Sequence, residues 1–270
     1  MAFDGFFSAL AAVIPALFLA AGVYIYVALV RQISLRVADP SATPVRAFGW
    51  PEATLATVFV LLFLRGLAVS ASHDVSRIQN RELIEGALLS IGLLVFIAGF
   101  LWLRGFDLNS LGGFSKIGFA RAVATGGILL LAAYPLVLLA EVVTQRFLPG
   151  NLEKQGIVEL FNASSSLEQR VAIILLAVTI APLAEEFFFR FFLYGVLKRY
   201  FGRSVGVVLS GLLFAAVHAH LPSFAPLFVL GMCFAIAYEW SGSLLVSMTM
   251  HALFNALALT ALAFPEVIPQ

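Results

Sequence analysis

Ala181-Pro-Leu-Ala-Glu185-Glu186-Phe-Phe-Phe-Arg190-Phe-Phe-Leu-Tyr194-Gly195 lies inside an apolar run from Val171 to Leu197, and its reading decides the fold. A hydrocarbon core about 30 Å thick is crossed by about 20 helical residues, so the run is long enough to span one. Its charges are out of place there, since each costs roughly 2.5–3.5 kcal/mol at the centre of a membrane helix. The run therefore reads as a membrane helix that carries Glu185, Glu186 and Arg190 for a reason other than solubility.

Similar runs extend outward in both directions. Upstream they cover Leu10 to Val30, Glu52 to Ser72, Ile84 to Leu103 and Ala120 to Val143; downstream, Ser204 to Ala219, Pro222 to Trp240 and Ser243 to Ala263. The expectation is an all-α, polytopic integral membrane protein of about eight transmembrane helices, with a catalytic bundle in the C-terminal four. A membrane barrel would instead show alternating ten-residue segments. The first run has no basic flank and reads as a retained helix rather than a leader. Composition agrees: of 270 residues, 61% are hydrophobic and 11% charged. The mean hydropathy is +1.02, whereas soluble domains hold about 25% charged residues. A soluble enzyme and a nucleic-acid partner are both excluded on this ground. The single Cys233 rules out an internal disulfide framework and a multi-cysteine zinc site.

Three segments emerge from the spacing of these runs. Residues 1–145 hold helices one to four, 146–170 form a polar connection, and 171–263 form the compact helical core. The connection is expected to hold a short interfacial helix around Ile157 to Phe161. Basic residues fall nine to five between the two sets of loops, which places the larger group in the cytoplasm and both termini outside. The cell membrane is the expected location.

The polar residues of the core recur at helical spacing. Glu186 and Arg190 are four apart, share a face and can pair. Phe214 and His218 are four apart, as are His251 and Asn255. A lone intramembrane histidine is as often a packing residue as a functional one. His220, beside Leu221-Pro222, reads as a solvated turn residue, and Arg65 and Glu141 as side chains that snorkel from helix ends. Two glutamates, an arginine, two histidines and an asparagine within the last four helices exceed what packing needs. In a wet cavity, a glutamate base with histidine partners has the composition of a hydrolytic site.

At these residues the sequence resembles the CPBP (Abi) intramembrane proteases, which include the Rce1-type CAAX prenyl endopeptidases. The pattern Glu-Glu-x-x-x-Arg, Phe-x-x-x-His, His-x-x-x-Asn appears here as Glu185-Glu186-Phe-Phe-Phe-Arg190, Phe214-Ala-Ala-Val-His218 and His251-Ala-Leu-Phe-Asn255. The resemblance covers about Val171 to Ala263. It implies a catalytic set of Glu185, Glu186, Arg190, His218, His251 and Asn255, acting on a membrane-embedded or lipidated peptide. In one mechanism Glu185 activates a water assisted by His218, His251 and Asn255 stabilise the oxyanion, and Glu186 pairs with Arg190. No cofactor is required. In the alternative, Glu185, His218 and His251 bind zinc. Family members usually carry glycine directly after the motif arginine. Phe191 stands there in this chain and is expected to narrow the approach between helices or to reshape the substrate path. Two other functions compete: a non-catalytic, immunity-type binding protein and, less favoured, a transporter.

Overall fold

The computed structural model describes residues 2–36, 48–70, 80–148, 161, 164 and 166–264. Among them the chain is helical and contains no strand. The helices are α1 (Ala2–Arg36), α2 (Trp50–Ser70), α3 (Asn80–Leu103), a short α4 (Leu108–Gly112) and α5 (Phe119–Phe147). They continue as α6 (Leu167–Phe201), α7 (Arg203–Val217), α8 (Phe224–Ser241) and α9 (Leu244–Ala263). The interfacial helix expected around Ile157 to Phe161 lies, Phe161 apart, outside the described residues.

The protein is a multi-pass integral membrane protein. The expected count of eight spans is corrected to six among the described residues: Val13–Arg36, Ile84–Leu103, Phe119–Phe147, Leu167–Phe201, Leu221–Ser241 and Leu244–Ala263. The two that drop out differ physically. Helix α7 has 15 residues, about 22 Å of helix, short of a 30 Å core. Helix α2 is longer, at 21 residues, and carries Glu52 and Arg65 within it.

Helix α6 is continuous but not uniform. Leu176–Ile180 and Phe187–Leu193 are π-helical, with Ala181–Glu186 as α-helix between them. The amide of Ala181 donates to the carbonyl of Leu176, five residues back. Pro182 accounts for the first wide turn: it has no N–H, and its ring would crowd the carbonyl four residues earlier, which a widened turn relieves. Such insertions change the angular register of later residues, so Glu185 and Glu186 leave the helix toward different neighbours.

Aromatic side chains then lock α6 into place. Phe188 meets Phe59 and Phe63 of α2 edge-on, with centroids 5.7 and 5.1 Å apart, a favourable quadrupole arrangement. Helices also join through backbone carbonyls, as expected where lipid supplies no hydrophobic drive for association. The Tyr26 hydroxyl donates to Leu129 O at 3.0 Å, joining α1 to α5, and the Thr249 hydroxyl donates to Ala122 O at 3.0 Å, joining α9 to α5. Where α7 crosses α8, Gly211 and Gly231 let the backbones touch. A Cβ on Gly231 would lie 3.1 Å from the Gly211 Cα. That contact fixes the Gly231 carbonyl, which the site uses.

One end of the bundle is an ionic lock. The Glu239 carboxylate takes Lys198 Nζ at 2.6 Å, Arg203 Nε at 2.9 Å and the Tyr194 hydroxyl at 2.9 Å. Beside it Arg36 donates to Trp240 O at 2.7 Å, and Arg104 meets the buried Glu52 at 2.9 Å. All four of these cations belong to the larger basic group read from the sequence.

Candidate active site

Adjacent carboxylates on α6 meet two contrasting environments. Glu186 is fully buried and lies 2.9 Å from Arg190 Nη1, with the guanidinium equally buried. Taking both charges out of water is costly, and good geometry with further partners must offset it. Some of those partners are present, although Glu186 Oε2 accepts and Arg190 Nε donates no hydrogen bond among the described residues. Arg190 Nη2 donates to Gly231 O at 3.3 Å, and its guanidinium lies 4.3 Å from the Phe214 ring centre and 5.0 Å from that of Phe234. Both aromatic faces attract the cation. On its other side Glu186 Oε1 accepts from His251 Nδ1 at 3.0 Å.

Glu185 has none of this. Its side chain is 31% exposed, and its Oε2 faces two imidazole nitrogens: His218 Nε2 at 3.9 Å and His251 Nε2 at 4.0 Å. Glu185 Oε2 makes no hydrogen bond within the protein.

The tautomers are set by the partners. His218 Nδ1 lies 2.7 Å from the carbonyl oxygen of Phe214, which can only accept, so Nδ1 carries the proton. His251 Nδ1 likewise donates to the Glu186 carboxylate. In both neutral rings Nε2 is then the lone-pair nitrogen, and both Nε2 atoms converge on Glu185. Separations of 3.9 and 4.0 Å are too long for direct hydrogen bonds and suit one bridging water. Phe214 stands between the parts, edge-on to His218 at 4.8 Å and to His251 at 5.6 Å, while Phe234 stacks on His251 at 5.0 Å.

These groups border a cavity of about 690 Å³ whose walls include Glu185, Phe214, His218, His251 and Asn255. It occupies the half of the bundle opposite the ionic lock, where α5, α7 and α9 end and α8 begins. Glu186 and Arg190 lie behind the wall. Asn255 is on the wall, but its Nδ2 donates to Ala177 O at 2.8 Å. One amide hydrogen thus ties α9 to the first π-helical turn of α6, and the other is left for a ligand.

One sequence reading changes here, and two residues read from the sequence gain a place on the cavity wall. Phe191 is fully buried, stacks on Phe187 at 4.6 Å and is absent from the cavity wall. The expectation that it reshapes the substrate path is therefore corrected; it packs in the core. His220 lies in the turn, partly buried, and also borders the cavity, with Nδ1 2.7 Å from the Ser223 hydroxyl. The chain turns back at Ala219, whose φ of +50° is rare for a residue with a side chain. Glu141 and Gln145 of α5 also border the cavity. Sequence reasoning took Glu141 for a snorkelling residue, and its helical spacing to Tyr134, Val137 and Leu138 was the available signal.

Glu185 Oε2 stands 3.9 and 4.0 Å from the two histidine donors of the zinc alternative, wider than a tetrahedral centre requires. Zinc bonds of about 2.0–2.1 Å put donor atoms about 3.4 Å apart. Among the described residues no group of three histidine, cysteine, aspartate or glutamate side chains is set to hold a metal ion. The donor set as arranged suits a water better than a resident cation.

Residues 167–257 match the family described as type II CAAX prenyl endopeptidase Rce1-like. Over 136 residues the chain is 27% identical to YpbD of Bacillus subtilis (strain 168), itself uncharacterized. That similarity covers 49% of this chain and 66% of the relative, just under two thirds of its length. No solved structure matches the chain at a significant level.

Proposed function

Starting from a membrane protein whose residues 167–257 form an Rce1-like domain of a protease family, we propose that it is an intramembrane endopeptidase. It hydrolyses a peptide bond in a membrane-anchored or lipid-modified substrate, in the cell membrane, with no cofactor. The observation that carries this reading is the approach of His218 Nε2 and His251 Nε2 to the same oxygen of Glu185, on a cavity wall.

Each residue then has a task. Glu185 takes a proton from a water whose oxygen attacks the peptide carbonyl carbon, the work of a general base. His218, with its Nδ1–H fixed on Phe214 O, offers its Nε2 lone pair to the same water and orients it. As the tetrahedral intermediate collapses, the C–N bond breaks and the proton passes to the leaving amine. The products are a carboxylic acid and an amine. His251 is held by Glu186 as a carboxylate holds a catalytic imidazole. Its resting neutral ring takes up a solvent proton at Nε2, donates as the imidazolium to the oxyanion together with the second amide hydrogen of Asn255, and returns that proton to solvent when the carbonyl re-forms. Glu186 and Arg190 touch no substrate and keep His251 in place.

The test is proteolysis by the purified chain in liposomes, supplied with lipidated and transmembrane peptides and read by mass spectrometry in ¹⁸O-water. The expected result is a new C-terminus carrying one ¹⁸O atom, lost in Glu185→Ala and retained with a chelator present. Cleavage that persists in Glu185→Ala would remove the base from the reading. Cleavage abolished by chelation and restored by zinc would replace the water mechanism with the metal one.

A further inference from the structure

The same cavity has a second carboxylate that hydrolysis does not use. We infer that Glu141 on α5 selects the substrate, favouring peptides that carry a basic side chain beside the cleaved bond; the inference rests on the hydrolytic reading of the cavity.

Helix α5 lies outside the Rce1-like segment, yet it supplies one wall of the cavity through Tyr134, Val137, Leu138, Glu141 and Gln145. Spacings of three, one, three and four residues place these side chains on one helical stripe. The stripe begins with Tyr134 and aliphatic residues and becomes polar at Glu141 and Gln145, toward the end of the helix.

Among the described carboxylates only Glu141 and the catalytic candidate Glu185 are left uncommitted. Glu52 is paired with Arg104, Glu85 with Arg81, Glu186 with Arg190, and Glu239 with Lys198 and Arg203. Asp107 caps α4, and Glu168 occupies the first turn of α6, where the helix dipole favours a negative charge. Glu141 receives only the neutral Gln145 amide, at 3.4 Å, and pairs with no cation among the described residues.

The charge balance of the wall points the same way. The described lining holds two carboxylates, Glu185 and Glu141, and no lysine or arginine. Arg190 lies behind the wall and is neutralised by Glu186, and Arg146 comes directly after Gln145 without joining the lining. With neutral histidines the potential inside is negative. A lysine or arginine of a bound peptide is attracted to Glu141, and a free carboxylate is repelled. The aliphatic part of the wall accepts the apolar stem of such a side chain.

The experiment uses fluorescent, N-terminally acylated peptides in which one lysine, alanine or glutamate is moved through consecutive positions. Binding is measured to the full-length Glu185→Ala variant in nanodiscs, so that affinity is read without turnover. The expected result is a position where lysine binds about three- to fivefold more tightly than glutamate, the size of a solvent-accessible ion pair. Adding Glu141→Gln flattens that preference, and adding Glu141→Lys reverses it in favour of glutamate. A merely structural role for Glu141 would weaken all peptides alike. No lysine preference at any position, or a preference unchanged by Glu141→Lys, overturns the inference. Cleavage by the wild-type chain is scored in parallel. Absence of cleavage with an intact lysine preference counts against hydrolysis and leaves the specificity role of Glu141 standing.

Discussion

Two carboxylates in the same bundle, Glu239 at the ionic end and Glu185 at the cavity, receive opposite treatment. Glu239 accepts from Lys198, Arg203 and Tyr194, and its side chain is 11% exposed. Glu185 is 31% exposed, and its Oε2 accepts no hydrogen bond within the protein although two imidazole nitrogens face it. Helix α6 serves both places, giving Glu185 to one and Tyr194 and Lys198 to the other. The lesson is one of satisfaction. A carboxylate bonded to cations by the fold holds helices together, whereas Glu185 is bonded to no cation and lies on the cavity wall. The Glu186–Arg190 pair belongs with the first kind in its burial and borders the second in its position.

The comparison can be broken at several points. The largest expected effect is on rate: Glu185→Ala lowers peptide hydrolysis by about 10²–10⁴-fold, the usual contribution of a positioned general base. Its melting temperature in detergent stays near that of the wild type, because Glu185 holds no helix. Next comes the buried pair. Arg190→Ala leaves Glu186 charged and uncompensated, which costs about 3–5 kcal/mol, read as a large fall in melting temperature and in yield of folded protein. A wild-type melting curve for Arg190→Ala would break the claim that this pair is structural.

The two histidines sharpen the contrast further. His251→Ala removes a partner of the buried Glu186 and reduces both hydrolysis and stability. His218→Ala, whose ring bonds only to Phe214 O among the described residues, reduces hydrolysis with a smaller thermal shift. Equal thermal shifts in the two variants would contradict the distinction between them. The smallest effect on chemistry is expected for Phe191. Phe191→Leu opens a void in the stack with Phe187 and lowers stability by about 1–2 kcal/mol, with the cleavage pattern unchanged. A changed pattern would return Phe191 to the substrate path.

Much of this was legible in the sequence because apolar runs and four-residue spacings are local. The all-helical membrane fold, the reach of Glu186 to Arg190 and the shared face of Phe214 and His218 are each properties of a single helix. The remainder depends on features that a regular 3.6-residue period does not encode. Every residue from Phe187 to Leu193 is buried, so Phe191 lies in the core against Phe187 because neighbouring helices surround this stretch on all sides. The left-handed Ala219 sets His220 on the cavity wall. Asn255 looked free to serve the reaction, yet it reaches Ala177 across two helices. That Glu141 also borders the cavity depends on α5 packing against α9, which no local pattern announces. The span count was overestimated because hydropathy alone does not register that α7 is only 15 residues long.

The most direct test compares the two contrasted carboxylates in one experiment. Glu185→Gln and Glu239→Gln are prepared in parallel, reconstituted in liposomes, and assayed for peptide cleavage and thermal stability. The account predicts that Glu185→Gln loses cleavage while keeping the wild-type melting temperature. Glu239→Gln melts lower, by a loss of about 1.5–3 kcal/mol for its charged hydrogen bonds, and still cleaves at temperatures where it is folded. Wild-type cleavage by Glu185→Gln, with activity lost instead in a folded Glu239→Gln, would contradict it.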